Sequence, residues 1–193
     1  ALSGLVIPFV DTDFKPFTNL YIQTIVTDFH KFGLVPYPAG IVLYRSPQRK
    51  LIEKPIPYLP ISDTTLLGSR PGSPAVSIWS MIHALGKSGY KGIVEEQLSL
   101  KAMFIAKIKT ILPTVEVITN DHSVSCGVVF HSFKRYKLPL VLERRYGLFT
   151  KPTVISMDSL KKRNVTIYKF FFLPHVKKKA IESFLNDLAR FCI

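Results

Sequence analysis

The sequence is short of acidic residues and nearly empty of the residue types that mark metal, redox or disulfide chemistry. Its 193 residues include two cysteines, one tryptophan and five histidines. Cys126 and Cys192 stand alone and far apart, which excludes a paired zinc spacing and a disulfide framework and makes a reducing, cytoplasmic compartment the simplest setting. His83, His122 and His131 show no ligand spacing, so no metal is expected. No apolar run approaches the ~18 residues of a membrane span. The stretch Gly4-Leu5-Val6-Ile7-Pro8-Phe9-Val10 lacks a preceding basic region and contains a proline, which makes it a poor signal peptide.

Only 13 Asp and Glu stand against 26 Lys and Arg, a formal charge of +13. Such a balance attracts phosphates, nucleic acid or an acidic partner. The cations are however dispersed in short clusters, Arg49-Lys50, Lys134-Arg135, Arg144-Arg145, Lys161-Lys162-Arg163 and Lys177-Lys178-Lys179, and no nucleic-acid motif accompanies them. Solvated faces, or complementarity to an acidic subunit, are expected in place of nucleic-acid binding. With 47% hydrophobic and 20% charged residues and no repeat, the chain reads as a packed fold.

Continuous apolar runs near 4–10, 21–27 and 40–45 predict strands buried on both faces, neighbours in a mostly parallel sheet. Residues 46–75 break into a loop rich in Pro, Ser and Thr, a candidate hinge that divides the chain into lobes 1–74 and 75–193. A helix is expected over about 75–86, with Ile78, Trp79, Ile82 and Leu85 on one stripe. Gly89 separates it from a second over 91–111, where Val94, Leu98, Ile105 and Ile108 face inward and Pro113 stops the helix. Strands at 115–119, 124–130, 138–143 and 165–173 and a final helix near 177–191, with Ile181, Phe184, Leu185 and Leu188 on one face, complete a small α+β lobe. Trp79 and Phe170 to Phe172 read as core. The chain begins with Ala1 and runs at once into apolar residues, so it reads as entered mid-fold.

The segment Thr27-Asp28-Phe29-His30-Lys31-Phe32-Gly33 carries the most chemistry. A lysine at the end of a buried strand, beside a histidine and followed by the rigid Pro36-Tyr37-Pro38-Ala39-Gly40, suits an amine that must form an imine. Together with Gly4-Leu5-Val6-Ile7-Pro8-Phe9, Leu67-Gly68-Ser69-Arg70 and Leu173-Pro174-His175-Val176, it resembles the pyridoxal-phosphate-dependent group II amino-acid decarboxylases, and among them the archaeal-type tyrosine/aspartate enzymes. The resemblance covers essentially the whole chain and corresponds to the C-terminal half of such an enzyme. It implies an α/β fold: the C-terminal portion of the cofactor-binding large domain of fold type I (1–74), then a small α+β domain (75–193).

The same resemblance implies roles. Lys31 would form the internal aldimine with pyridoxal 5'-phosphate and later assist proton transfer. His30 would lie near the cofactor, Ser69 would bind it, Arg70 would hold the substrate carboxylate, and Tyr58 would supply the proton that replaces carbon dioxide. The family's carboxylate partner of the pyridine nitrogen aligns two positions before Ala1, and the ring-stacking residue and the main phosphate-binding segment also fall outside the chain. Alone the chain is expected to be inactive. A polypeptide corresponding to the N-terminal half and a homodimeric assembly are the implied partners, with an L-amino acid as substrate. The other reading is a catalytically inactive truncated homologue that serves as a basic interaction module.

Overall fold

The computed structural model describes residues 2–46, 54–55, 57–58, 62–63, 70–148, 152–158 and 161–192. Its contacts divide the chain into two compact units, Ala1–Lys91 and Gly92–Ile193. The predicted division at 74/75 falls at the start of a helix whose first part packs within the first unit.

In that unit β1 (Thr24–Asp28) and β2 (Gly40–Tyr44) form an antiparallel hairpin, not the parallel neighbours expected from their apolar content. The connection over 29–39 is too short for a parallel crossover, which needs a dozen or more residues. The run 4–10, expected as a strand, is a turn leading into a 3-10 helix, Ile7–Phe9. Pro8 accounts for it, because proline has no N–H to give to a ladder and fixes a helical φ. A two-residue hairpin, β3 (Lys54–Pro55) and β4 (Ser62–Asp63), lies in the predicted loop.

The helix α1 (Ser73–Ile111) bends at Gly86, whose φ of 56° and ψ of −170° leave the helical region. The first helix was expected to end near Gly86, and the kink falls there; Gly89, expected to separate the two helices, stays within α1. Only glycine takes the Gly86 conformation at no steric cost. Before the kink, Ile78 and Met81 pack against Phe29, Val35 and Ala39. Trp79, expected in the core, is 62% exposed and lies tilted against His83 instead, with ring centroids 4.1 Å apart. Tyr90 is buried, stacks on Phe9 and donates its hydroxyl to the Gly33 carbonyl at 3.0 Å.

The second unit is built on an antiparallel sheet of β5 (Glu116–Ile118), β6 (Ser125–Val129) and, beyond a hairpin of β7 (Pro152–Asp158) and β8 (Lys161–Thr166), β9 (Tyr168–Phe171), in the order β5-β6-β9. Alternate residues Cys126, Val128 and Phe130 enter the core, as a strand's two-residue period requires. They meet Phe104, Ile108 and Leu112 of α1 and Ile181, Phe184, Leu185 and Leu188 of α3 (Lys178–Ala189). Phe170 and Phe172 join them, whereas Phe171 is largely exposed. Residues 138–143, expected as a strand, belong instead to α2 (Leu140–Tyr146), which follows Pro139 and ends on Gly147 at φ 62°. Glu143 in its first turn and Arg144 and Arg145 in its last suit the helix dipole. No helix among the described residues is long and apolar enough to cross a membrane.

Candidate active site

Lys31 sits on a turn that two buried rings hold in place. Phe29 and Phe32 are both buried, as is Val35, so the residues between them have little freedom to move. Backbone bonds close the turn: Lys31 N–H to the Asp28 carbonyl (3.2 Å), Val35 N–H to Phe29 (3.3 Å) and His30 N–H to Ala39 (3.2 Å). Gly33 is required by space: a Cβ there would stand 2.5 Å from the Phe29 carbonyl oxygen and 2.6 Å from its Cα. With its neighbours anchored inward, Lys31 projects outward and keeps 39% of its side chain exposed.

The Lys31 ammonium donates to Asp28 Oδ2 at 2.5 Å. That bond, together with the charges of Lys31 and His30, holds the Asp28 carboxyl below its ordinary value despite some desolvation. Gly40, opposite Asp28 in the hairpin, leaves room for the carboxylate; a Cβ there would lie 3.3 Å from Oδ1. His30 places Nδ1 3.0 Å from the Ala39 carbonyl oxygen and 3.3 Å from its N–H, Nε2 4.0 Å from Asp28, and its ring edge-on to Tyr37. Lys31, His30 and Asp28 therefore form one cluster. Asp28 was the member without an assigned role in the sequence, and its signal was the three-residue spacing to Lys31, which puts the two on one side of a turn.

Beside this cluster, a cleft of about 680 Å³ runs between Pro38 to Ile41 and the start of α1, lined by Pro74, Ile78 and Trp79 among others, with Arg70 at its edge. Ala39 and Gly40 are shared by the cleft and the Lys31 cluster. Tyr58 lies in a surface turn and is 83% exposed. Ser69 lies outside the described residues.

Lys101 and His131 have structural partners. Lys101, buried, donates to the carbonyls of Asn120 (2.8 Å) and Ser123 (2.7 Å), and burial lowers its pKa. His131 pairs with Glu116 at 3.0 Å. Among the described residues no group of three or more His, Cys, Asp or Glu could hold a metal.

No protein-family model matches the sequence. Curated relatives do. The chain is 33% identical to the L-aspartate decarboxylase of Thermococcus kodakarensis and 32% identical to the L-aspartate/L-glutamate decarboxylase of Pyrococcus horikoshii, in each case over 97% of its own length. It is 28% identical to a probable L-tyrosine/L-aspartate decarboxylase of Methanococcus aeolicus. It spans about half the length of these relatives, 47%, 48% and 47% respectively.

In structure it resembles a Lactobacillus brevis glutamate decarboxylase, with a TM-score of 0.74 and 21% identity, over 98% of this chain and 44% of that one. It likewise resembles a Burkholderia pseudomallei sphingosine-1-phosphate lyase, with a TM-score of 0.75 and 18% identity, over 98% and 43%. The fold is the C-terminal part of fold type I, as the resemblance implied. The chain is thus a relative of the pyridoxal-phosphate-dependent group II amino-acid decarboxylases, matching about half of such a protein.

Proposed function

We propose that this chain is the lysine-bearing half of a pyridoxal-phosphate-dependent L-amino-acid decarboxylase. The observation that carries the reading is the Lys31 amine, presented outward on a turn locked by Phe29 and Phe32. An aldehyde cofactor needs such a primary amine, reachable and held in register, and the donor set around Lys31 fits that requirement. When bound, pyridoxal phosphate draws electrons from the substrate Cα so that carbon dioxide can depart.

The chain's own residues do the positioning. Lys31 anchors the cofactor. Asp28 Oδ2 holds the Nζ ammonium in place beforehand, so the proton on Nζ must leave and the ion pair must open before the amine can attack. His30, bridged to Ala39, keeps the far side of the turn rigid. Arg70, on the cleft that shares Ala39 and Gly40 with this turn, offers a planar guanidinium for two-point capture of a substrate carboxylate. Tyr58 offers a phenol as proton donor from a solvent-facing turn. Asp28 is engaged by Lys31, so the acid that would protonate the pyridine nitrogen comes from the half of the relatives this chain does not match. A homodimer completes the site, and the chain alone is inactive.

The test combines this chain with the N-terminal half of the Thermococcus kodakarensis enzyme and pyridoxal phosphate. A yellow complex is expected, whose visible absorbance disappears on borohydride reduction with the label on Lys31; Lys31→Ala should abolish both colour and decarboxylation. In the active complex Arg70→Lys should raise KM by roughly ten- to a hundredfold, the cost of about 1.5–3 kcal/mol for a lost charge-assisted bond. A complex that stays colourless would sink the proposal.

A further inference from the structure

Leu34 closes the Lys31 turn in an uncommon backbone state. Its φ is 59°, in the left-handed region that a Cβ disfavours. A residue other than glycine stays there only where its surroundings over-determine it. The peptide joining Gly33 to Leu34 is where that hold is applied. Its carbonyl accepts the Tyr90 hydroxyl at 3.0 Å, and its N–H donates to the Lys31 carbonyl at 3.4 Å. One planar unit therefore carries a bond from α1 on one side and a bond to Lys31 on the other. Turning this peptide over would change ψ of Gly33 and φ of Leu34 together. It would relieve Leu34, which Gly33 permits, and it would break both bonds at once.

Tyr90 is placed to resist that motion. It is 3% exposed, it follows the Gly86 kink by four residues, and its ring stacks on Phe9 with centroids 5.6 Å apart and planes 15° from parallel. The ring cannot swing away from Gly33 without losing that contact. Burial raises the phenol pKa, so the hydroxyl keeps its proton and remains a donor. Any buried tyrosine needs an acceptor. This one takes the carbonyl of the very peptide that strain at Leu34 would turn. The hold is then felt at the side chain: Lys31 N–H is bonded to the Asp28 carbonyl and Nζ to Asp28 Oδ2, so a relaxed turn carries the amine off that carboxylate.

We infer that Tyr90 is a positioning residue for the Lys31 amine, acting through the Gly33–Leu34 peptide. That the amine it holds serves an aldehyde cofactor rests on the decarboxylase reading; that Tyr90 holds it does not.

The test is Tyr90→Phe in this chain, which removes the hydroxyl and keeps the ring against Phe9. By carbon-13 titration the Asp28 midpoint is expected to rise toward its ordinary 3.8, and the Leu34 amide to exchange about tenfold faster or more. In the complex with pyridoxal phosphate, borohydride labelling of Lys31 should slow by about ten- to a hundredfold. Tyr168→Phe, a core phenol of the second unit, is the control for stability lost in general and should leave Asp28 and Leu34 as they were. Adding Leu34→Gly, which takes a φ of 59° without strain, should return Asp28 to its depressed midpoint in the Tyr90→Phe background. If Tyr90→Phe does not fold alone, the doubly substituted chain decides. Should neither fold, the Leu34 amide of the unaltered chain decides, expected to exchange at least about tenfold slower than an unbonded amide. Asp28 and Leu34 unmoved in Tyr90→Phe, equal shifts in Tyr168→Phe, an ordinary Asp28 midpoint in the doubly substituted chain, or free exchange of Leu34 in the unaltered chain would each overturn the role. Should Asp28 and Leu34 move while Lys31 of the unaltered complex stays unlabelled, Tyr90 keeps its role and the decarboxylase reading falls. A labelled Lys31 with Asp28 and Leu34 unmoved rejects Tyr90 alone.

Discussion

At Gly33 the chain has no room for even a methyl group, and that restriction is what aims Lys31. Gly33→Ala forces the backbone away from Phe29 and should cost about 1–3 kcal/mol by overpacking, seen as a lowered denaturation midpoint and, on the proposed function, as loss of borohydride labelling at Lys31. The neighbouring ion pair gives a pH test. Because Lys31 holds Asp28 below its ordinary 3.8, the stabilisation from this pair is complete at neutral pH and disappears as pH falls through the depressed folded-state value. Carbon-13 titration of Asp28 in Lys31→Ala should show its midpoint moving back up toward the ordinary value. The two thiols separate in the same way. Burial pushes Cys126 up to about 12, whereas Cys192 is exposed near the end of the chain. Iodoacetamide at mildly alkaline pH should therefore modify Cys192 in the native protein and spare Cys126 until unfolding.

At the scale of elements, tertiary bonds decide what local pattern leaves open. Leu138 to Glu143 reads as a strand because its apolar residues are contiguous, yet it turns helical where Leu142 enters the core and Tyr168 bridges its two ends. The Tyr168 hydroxyl donates to Glu143 and accepts the Leu138 N–H at 2.9 Å. Burial, with the Glu143 carboxylate beside it, pushes that phenol well above its ordinary value. Tyr168→Phe leaves the Leu138 N–H and the Glu143 carboxylate without this partner and should destabilise by about 1–3 kcal/mol, measurable by urea unfolding. The kink in α1 was legible, since glycines interrupt an otherwise helical run. Its location near residue 86 was legible as well, as the expected end of the first helix; that Gly89 stays helical was not, because the two glycines carry equal propensity.

Across the whole molecule the two units differ in self-sufficiency. The second has a continuous core from Leu100 to Leu188, drawn from three helices and a three-stranded sheet, whereas the first buries a small cluster around Phe29 and leaves much of its hairpin exposed. A fragment of residues 92–193 should unfold cooperatively by circular dichroism, while a fragment of residues 1–91 should lack a cooperative transition.

The residues alone were enough to single out the Lys31 turn as the candidate site and to point to the decarboxylase relatives, because that signal depends on residue identity at short spacing. It also determined α3 and β6, whose apolar periods match their buried faces. It did not determine the direction of β2, the solvent-facing side of Trp79 or the pairing of Asp28 with Lys31. Those depend on which surface each segment meets, and contiguous apolar runs say that a strand will be covered without saying by what. Only the tertiary structure shows β1 bonded to β2 and, among the described residues, to no other strand, since hydrogen-bond direction is a property of pairing and not of composition.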